Sequence, residues 1–190
     1  MPWFAYHFPC LGGEDLCKLG FSRDPLQRIR SLHSRWYEFF DLDNGLLVEA
    51  ESERDARDLE LALRRPVRLH NAPMPMTVRG AAGGETEWYR GVSGHVREAA
   101  RLLARDGYRV HAPMSGWLRD ALVRRVDLLF EWAGAQRPLL LQAENGQGRL
   151  LQPLLDELDA YPALSIPLDA ALPDDVLAWY AGTRRARGLG

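Results

Sequence analysis

A basic strand–turn–helix segment is the part of this chain whose residues are best placed to do chemistry. Residues 17–28 read as a short strand that ends at Gly20, a tight turn, and a helix that begins at Pro25. Arg28 follows Gly20 by eight residues and lies off the apolar stripe of that helix, so its side chain can point outward. Because a guanidinium presents a planar fork of donors, this arrangement favours the binding of a phosphate.

The elements around this segment predict a small sheet. Residues 2–9 are rich in aromatic residues that recur with period two, which indicates a strand with Tyr6 on its aromatic face. Residues 16–21 form the return strand, and residues 46–50 form a third strand. The sequence therefore predicts an α/β (α+β) fold with a small, mostly antiparallel, three-stranded sheet flanked by helices.

Helices are predicted at residues 25–34, 52–65 and 93–106 from their caps and apolar periodicity. Residues 66–84 are rich in proline and glycine and read as a long loop. Such a loop inside a compact domain is unusual unless it is functional or disordered. A short strand is expected at 86–89.

Several elements of the first ninety residues occur in the order found in GIY-YIG domains. They are Tyr6 in the first strand, Lys18 and Gly20 at the end of the second, Arg28 on the first helix, and Glu87 in a Gly-x-Thr-Glu-Trp-Tyr segment. Over residues 2–92 the chain resembles the GIY-YIG nuclease superfamily. The resemblance is closest to the phage and bacterial branch, in which lysine stands in the second motif and a Glu-Trp-aromatic element closes the domain.

This resemblance implies a metal-dependent endonuclease that hydrolyses phosphodiester bonds of DNA. Tyr6 would contact the attacking water, and Arg28 would clamp the phosphate. Glu87 would hold a single divalent ion, Mg²⁺ or Mn²⁺, through oxygen. Lys18 would take the place of the second tyrosine of the motif.

Lys18 is also the main departure from the founding motif. Alternation along the second strand places Leu19 on the core side and Lys18 on the other side. A lysine stabilises phosphate charge, but it serves as a base only when its pKa falls well below the usual ~10.4. The resemblance departs again at Arg64, because relatives often carry a histidine one turn after the glutamate that corresponds to Glu60.

Basic residues cluster around the long loop. A charge run is typical of a solvated face, but beside a nuclease cleft the same side chains would hold a sugar–phosphate backbone without reading its sequence. The residues predicted to bind nucleic acid in this way are Arg64, Arg65, Arg68 and Arg79, with His70 among them.

Composition excludes a global field that would attract nucleic acid. The chain has 190 residues and a formal net charge of −2, so contact with DNA or RNA must come from a local patch. Two cysteines, Cys10 and Cys17, are too few for a disulfide framework, and a zinc site would need further ligands. They are therefore expected to be reduced thiols in a cytosolic protein. We find no signal peptide pattern and no run of ~18 apolar residues, which predicts a cytoplasmic protein without a membrane partner.

The character of the chain changes after residue 112. We predict a GIY-YIG-like nuclease domain over 1–112 and a mainly helical region of unknown role over 113–190. Within that region, helices are expected near 150–160 and 174–186.

Two alternatives to the nuclease remain open at this level. One is a catalytically weakened module of the same fold that binds nucleic acid. The other is an interaction protein that docks a protein partner through the helices of 114–190, in which case Trp117, Trp132 and Trp179 would be exposed.

Overall fold

The computed structural model describes residues 2–138, 140 and 151–188 of the chain. The chain divides into two compact units, Met1–Leu118 and Arg119–Gly190. The boundary predicted between residues 112 and 113 comes just before the Met114–Val123 helix, whereas the division between the units falls inside that helix.

The first unit is built on a five-stranded antiparallel sheet. Its strands are β1 (Trp3–Pro9), β2 (Leu16–Ser22), β3 (Leu46–Ala50), β4 (Trp88–Arg90) and β5 (Val110–His111). Their order across the sheet is β4-β2-β1-β3-β5. The α+β class is confirmed, but the prediction of three strands is wrong. Strand β4 overlaps the short strand expected at 86–89, which the three-stranded prediction left out of the sheet. Strand β5 has only two residues, which is too short for a period-two pattern to identify it.

Two helices of the first unit begin at side-chain caps, whereas the helix expected after a cap at Ser93 begins at Ser93 itself and has no side-chain cap. The Asp24 carboxylate accepts a hydrogen bond from the Gln27 amide at 3.0 Å, and the Ser52 hydroxyl accepts one from the Asp55 amide at 3.1 Å. The helices are α1 (Pro25–Leu32), α2 (Trp36–Phe39), α3 (Glu53–Arg64), α4 (Ser93–Arg105) and α5 (Met114–Val123), the last of which continues into the second unit.

Alternation along β1 and β2 gives the sheet two buried faces of different character. On the face covered by α3 and α4, Ala5, Cys17 and Leu19 belong to one apolar cluster with residues of both helices. On the opposite face, which we call the α1 face, Tyr6 stacks on Phe8 with ring centroids 4.1 Å apart. The fully buried apolar stripe of α1 contributes to the core beside β1 and β2.

The long loop between α3 and β4 has a fixed course. It contains two short 3-10 turns, Arg65–His70 and Gly80–Ala82. The Ala72 amide donates to the Trp88 carbonyl at 2.8 Å, and the Arg79 amide donates to the Leu32 carbonyl at 3.0 Å. These bonds tie the loop to β4 and to the end of α1.

The second unit is helical in the part that the structure describes. Beyond the end of α5 it contains α6 (Val126–Ala135), α7 (Gln152–Ala163) and α8 (Asp174–Ala186), so the helices expected near 150–160 and 174–186 are confirmed. None of the helices in the described ranges combines the length and the apolarity needed to cross a bilayer.

The three tryptophans that would favour a docking surface differ in exposure. Trp132 of α6 is exposed, whereas Trp117 and Trp179 are half-buried. Trp117 packs edge-on against Phe4 of the first unit, with centroids 5.0 Å apart. Part of the surface of Trp117 and of Trp179 is therefore buried within the protein and is not available to a partner.

Candidate active site

Gly20 makes room for the ring of Tyr6. The two residues are direct partners in the β1–β2 register. A Cβ atom on Gly20 would overlap the Tyr6 hydroxyl and would lie only 2.6 Å from Cζ of the ring. A strand-ending turn or a close approach to phosphate would each favour glycine here, but the structure adds a different reason: the tyrosine ring lies across it.

Tyr6 is joined to Arg28 beneath the protein surface. Nε of Arg28 donates a hydrogen bond to the Tyr6 hydroxyl at 3.1 Å. Burial raises the pKa of Tyr6 to about 12, although the neighbouring Arg28 charge opposes that rise. The hydroxyl is therefore neutral near pH 7 and acts as a hydrogen-bonding group rather than as a phenolate.

Lys18 is fully buried on the α1 face, which its position on β2 alone did not indicate. Its Nζ atom donates to the Gly84 carbonyl at 2.7 Å and to Oε2 of Glu87 at 3.1 Å. It also lies over the indole of Trp88, 5.3 Å from the ring centroid. Burial lowers the pKa of Lys18, while the Glu87 carboxylate opposes that change.

Two consecutive glycines supply backbone acceptors to the cations. Gly83 and Gly84 both have positive φ, +66° and +72°, a conformation that glycine adopts without strain. The Gly83 carbonyl accepts from a terminal nitrogen of Arg28 at 3.4 Å, and the Gly84 carbonyl accepts from Lys18. Sequence reasoning did not assign these carbonyls a role, although a Gly-Gly pair just before Glu87 was a usable signal.

The predicted residues converge around Gly84. The position that a Cβ of Gly84 would occupy is 2.5 Å from Oε2 of Glu87, 2.5 Å from Nζ of Lys18 and 3.1 Å from a terminal nitrogen of Arg28. Tyr6 joins the group through Arg28. Four side chains from β1, β2, α1 and the segment before β4 thus meet at one place, as the sequence predicted they would have to.

Glu87 and the partly buried Arg28 are where this group reaches solvent. Its side chain is 29% exposed, whereas that of its partner Lys18 is 0% exposed. The carboxylate is in a local ion pair, but with another member of the group and within reach of Arg28. The cluster is therefore open on its acidic side.

A divalent ion is compatible with this carboxylate. Lys18 approaches Oε2 only, and the side chain is partly accessible. The described residues hold no group of three or more His, Cys, Asp or Glu side chains that would make a complete protein cage. Mg²⁺ does not need one, because it keeps several water ligands and takes one or two carboxylates together with phosphate oxygens. The residues present fit a hydrated Mg²⁺ or Mn²⁺ ion on Glu87.

Arg64 is hydrogen-bonded within the protein. Its side chain donates to Oε1 of Glu60 at 2.7 Å and to the Tyr89 hydroxyl at 2.8 Å. Tyr89 belongs to the apolar cluster on the α3/α4 face, opposite the face that carries Lys18. Burial raises the pKa of Glu60, with Arg64 opposing that change. Arg64 thus has two partners within the protein, and the phosphate-binding role predicted for it stays a prediction.

The other predicted nucleic-acid-binding arginines are exposed. Arg65 and Arg68 lie on the first 3-10 turn of the loop, and Arg79 precedes the second. No ion pair involves any of the three within the described parts of the chain. They remain available to an external anion.

A cavity of about 1090 Å³ lies at the opposite edge of the sheet, beside β3 and β5. Its lining includes Glu49, Glu51, Asp55 and Asp106, and shares no residue with the group around Gly84. An acidic cavity repels phosphate. The smaller, mixed-charge cluster is the better candidate for chemistry on a nucleic acid.

Comparison with models of known protein families, with curated proteins and with solved structures found no match to this chain. Its function is therefore inferred from the geometry of the site and from the residue pattern.

Proposed function

We propose that the protein is a metal-dependent endonuclease that hydrolyses phosphodiester bonds of DNA in the manner of GIY-YIG nucleases. The observation that supports this most directly is the meeting of Lys18, Arg28 and Glu87 around Gly84, with Tyr6 attached through Arg28. The two cations can stabilise charge that develops on a phosphate, and the accessible carboxylate can hold a divalent ion beside it.

Phosphate binding would occur by exchange of acceptors. In the free protein, Lys18 and Arg28 donate to the carbonyl oxygens of Gly84 and Gly83. Phosphate oxygens are stronger acceptors, because they carry charge and because Arg28 can donate to two of them at once. Substrate binding would therefore replace the neutral Gly83 carbonyl by a charged acceptor at Arg28, while the fully buried Lys18 would keep its bond to Gly84 and act through its charge.

In the proposed reaction, water attacks phosphorus in line and the bond between phosphorus and the 3′ oxygen breaks. The products are a 5′ phosphate and a 3′ hydroxyl. The attacking water loses one proton to solvent, and the departing 3′ oxygen takes one proton from solvent. Tyr6 orients the water as a neutral hydroxyl, since its pKa near 12 keeps it protonated. Arg28 stabilises the charge that develops on the phosphate oxygens. A divalent ion on Glu87 would supply further positive charge beside the phosphate.

A second candidate is a module of the same kind that binds nucleic acid without cleaving it. The observation that favours it is the ion pair of Glu87 with Lys18, which competes with a metal for Oε2. Retention on DNA without metal-dependent nicking would select this candidate.

The test is nicking of supercoiled plasmid DNA in Mg²⁺ and in EDTA. Arg28→Ala and Glu87→Ala should each reduce the rate at least about 100-fold, the usual cost of losing one group that stabilises transition-state charge. Arg23→Ala and Glu85→Ala are matched controls, because both side chains are exposed and lie close in sequence to the residues tested. Wild-type activity in both Arg28→Ala and Glu87→Ala would end the nuclease proposal.

A further inference from the structure

The loop beside the candidate site carries a run of positive charge ahead of its two acidic residues, Glu85 and Glu87. Residues 61–84 contain four arginines and one histidine and no aspartate or glutamate, in a chain that has 26 acidic residues. Arg64 is paired with Glu60 of α3, so the charge that remains comes from Arg65, Arg68 and Arg79. Such a surface is complementary to a polyanion.

Two large apolar side chains project from the same loop. Leu69 is 89% exposed and Met76 is 101% exposed. Each lies two residues from a valine that is buried, Val67 at 3% and Val78 at 5%. The loop thus has apolar anchors that point into the protein and apolar side chains that point away from it.

Leu69 lies two residues from a side chain that is bonded on either side of Glu87. The side-chain amide of Asn71 donates to the Thr86 carbonyl at 2.6 Å and to the Trp88 carbonyl at 3.0 Å, on either side of Glu87. Leu69 is two residues from Asn71, a span of at most about 7 Å of extended chain. It therefore projects from the backbone that is fixed to the carboxylate's own segment.

Met76 is held close to the helix that carries Arg28. It lies in a turn closed by a hydrogen bond from the Val78 amide to the Pro75 carbonyl at 3.0 Å. The next residue, Arg79, is bonded to the Leu32 carbonyl at the end of α1. Both projecting side chains are thus tied to elements that supply the candidate site.

We propose that Leu69 and Met76 insert against the bases of duplex DNA bound at this site, while Arg65, Arg68 and Arg79 hold its phosphates. This inference rests on the proposed function. Apolar side chains that enter a base step unstack it and bend the duplex, while neighbouring cations bind the backbone. Single projecting side chains set among arginines fit a base step better than the flat, contiguous apolar face of a protein partner.

The test uses a mixed-sequence duplex of about 200 base pairs in EDTA, so that the DNA is bound but not cut. Permanganate oxidises unstacked thymines and therefore reports distortion wherever along the duplex it occurs. We expect new reactive thymines with the wild-type protein and their loss with the Leu69→Ser/Met76→Ser double variant. The double variant should also bind about tenfold more weakly with an unchanged salt dependence, because no phosphate contact is lost.

Two matched variants separate the contributions. Leu11→Ser/Leu102→Ser removes exposed leucines outside the loop and should leave reactivity and affinity unchanged. Arg68→Gln/Arg79→Gln should weaken binding and reduce the slope of affinity against salt. Circular dichroism verifies that each variant is folded.

If the protein binds DNA and nicks it with metal but makes no thymine reactive, the proposed insertion of Leu69 and Met76 is wrong. The nuclease proposal then still stands. Reactive thymines that persist in the double variant would lead to the same two conclusions. A protein that binds no DNA at all would overturn both proposals.

Discussion

Tyr6 and His7 are neighbours on β1, and their buried polar groups have different surroundings on the two faces of the sheet. On the α1 face, the Tyr6 hydroxyl accepts from Arg28, which lies with Lys18 and the accessible Glu87 around Gly84. On the α3/α4 face, His7 is fully buried, and its Nε2 lies 3.2 Å from the Ser93 hydroxyl. Its Nδ1 has no hydrogen-bond partner in the described structure.

The ionisable groups His7 and Lys18 also differ between the two faces. Burial lowers the pKa of His7 to about 4, so its imidazole is neutral at physiological pH, although the Asp15 carboxylate opposes that shift. Lys18, on the other face, is equally buried but has a carboxylate, a carbonyl and an indole around it. Burial of a polar side chain therefore does not itself indicate a site. A site also needs paired charge and a way out to solvent.

The largest effect is expected from two neighbouring positions of β2 that face opposite sides. Lys18→Met should reduce plasmid nicking at least about 100-fold and destabilise the protein by about 2 kcal/mol, because Glu87 and the Gly84 carbonyl lose their charged donor. Leu19→Met should cost less than about 1.5 kcal/mol, since it conserves volume in an apolar cluster. Nicking assays and urea unfolding measure both; equal losses in the two variants would mean that the faces do not differ.

The next effect concerns the pH dependence of stability on the α3/α4 face. The folded pKa of His7, about 4, lies below its ordinary 6.5, so the unfolded chain binds more protons between these values. The stabilisation from the neutral imidazole is complete above pH 6.5 and is lost as pH falls toward 4. Between pH 7.5 and 4.5, wild type should lose about 2–3 kcal/mol more than His7→Gln in urea unfolding. Parallel losses in the two proteins would contradict a buried neutral histidine.

A smaller effect is expected at Gly20. An added methyl group would meet the Tyr6 ring, so Gly20→Ala should destabilise the protein by about 1–3 kcal/mol and displace Tyr6 from Arg28. Gly94→Ala on α4 is the control, because no described atom lies within 4 Å of its added methyl group; it should be neutral or stabilising by up to about 1 kcal/mol. Thermal unfolding distinguishes the two, and a neutral Gly20→Ala would show that the ring is not confined.

The smallest effect is expected from Tyr6→Phe. The ring and its packing remain, and only the acceptor for Arg28 is lost, which corresponds to about 1 kcal/mol and about a tenfold slower nicking. Because the native hydroxyl is already neutral, the pH profile of nicking between 6 and 9 should keep its shape. A profile that loses an ionisation in Tyr6→Phe would assign Tyr6 the role of base.

Much of this arrangement was predictable from local patterns. The alternation that placed Tyr6 on an aromatic face, the cap at Asp24 and the proline at residue 25 fixed β1 and α1 correctly. Glu87 was identified from its Thr-Glu-Trp-Tyr segment, and its distance in sequence from Lys18 did not prevent the two from meeting. Local sequence is informative here because each residue's direction follows from a regular element.

The rest depended on long-range contacts that no local pattern encodes. The two-residue strand β5 is too short to have a period, and the places of β4 and β5 in the sheet depend on the edges that the longer strands β2 and β3 offer them. Arg64 looked like one more basic residue of a loop until its bonds to Glu60 and Tyr89 were seen. The complete burial of Lys18 likewise follows from Trp88, which arrives from a distant part of the chain.

The carbonyls of Gly83 and Gly84 stabilise the positive charges of Arg28 and Lys18 in the free protein without a counter-ion from solution. Because peptide dipoles already solvate the lysine and the arginine, a small anion gains little by entering. An extended substrate that also engages the loop's arginines gains at several places at once. Selectivity for a polymer over free phosphate would then be a property of the resting site itself.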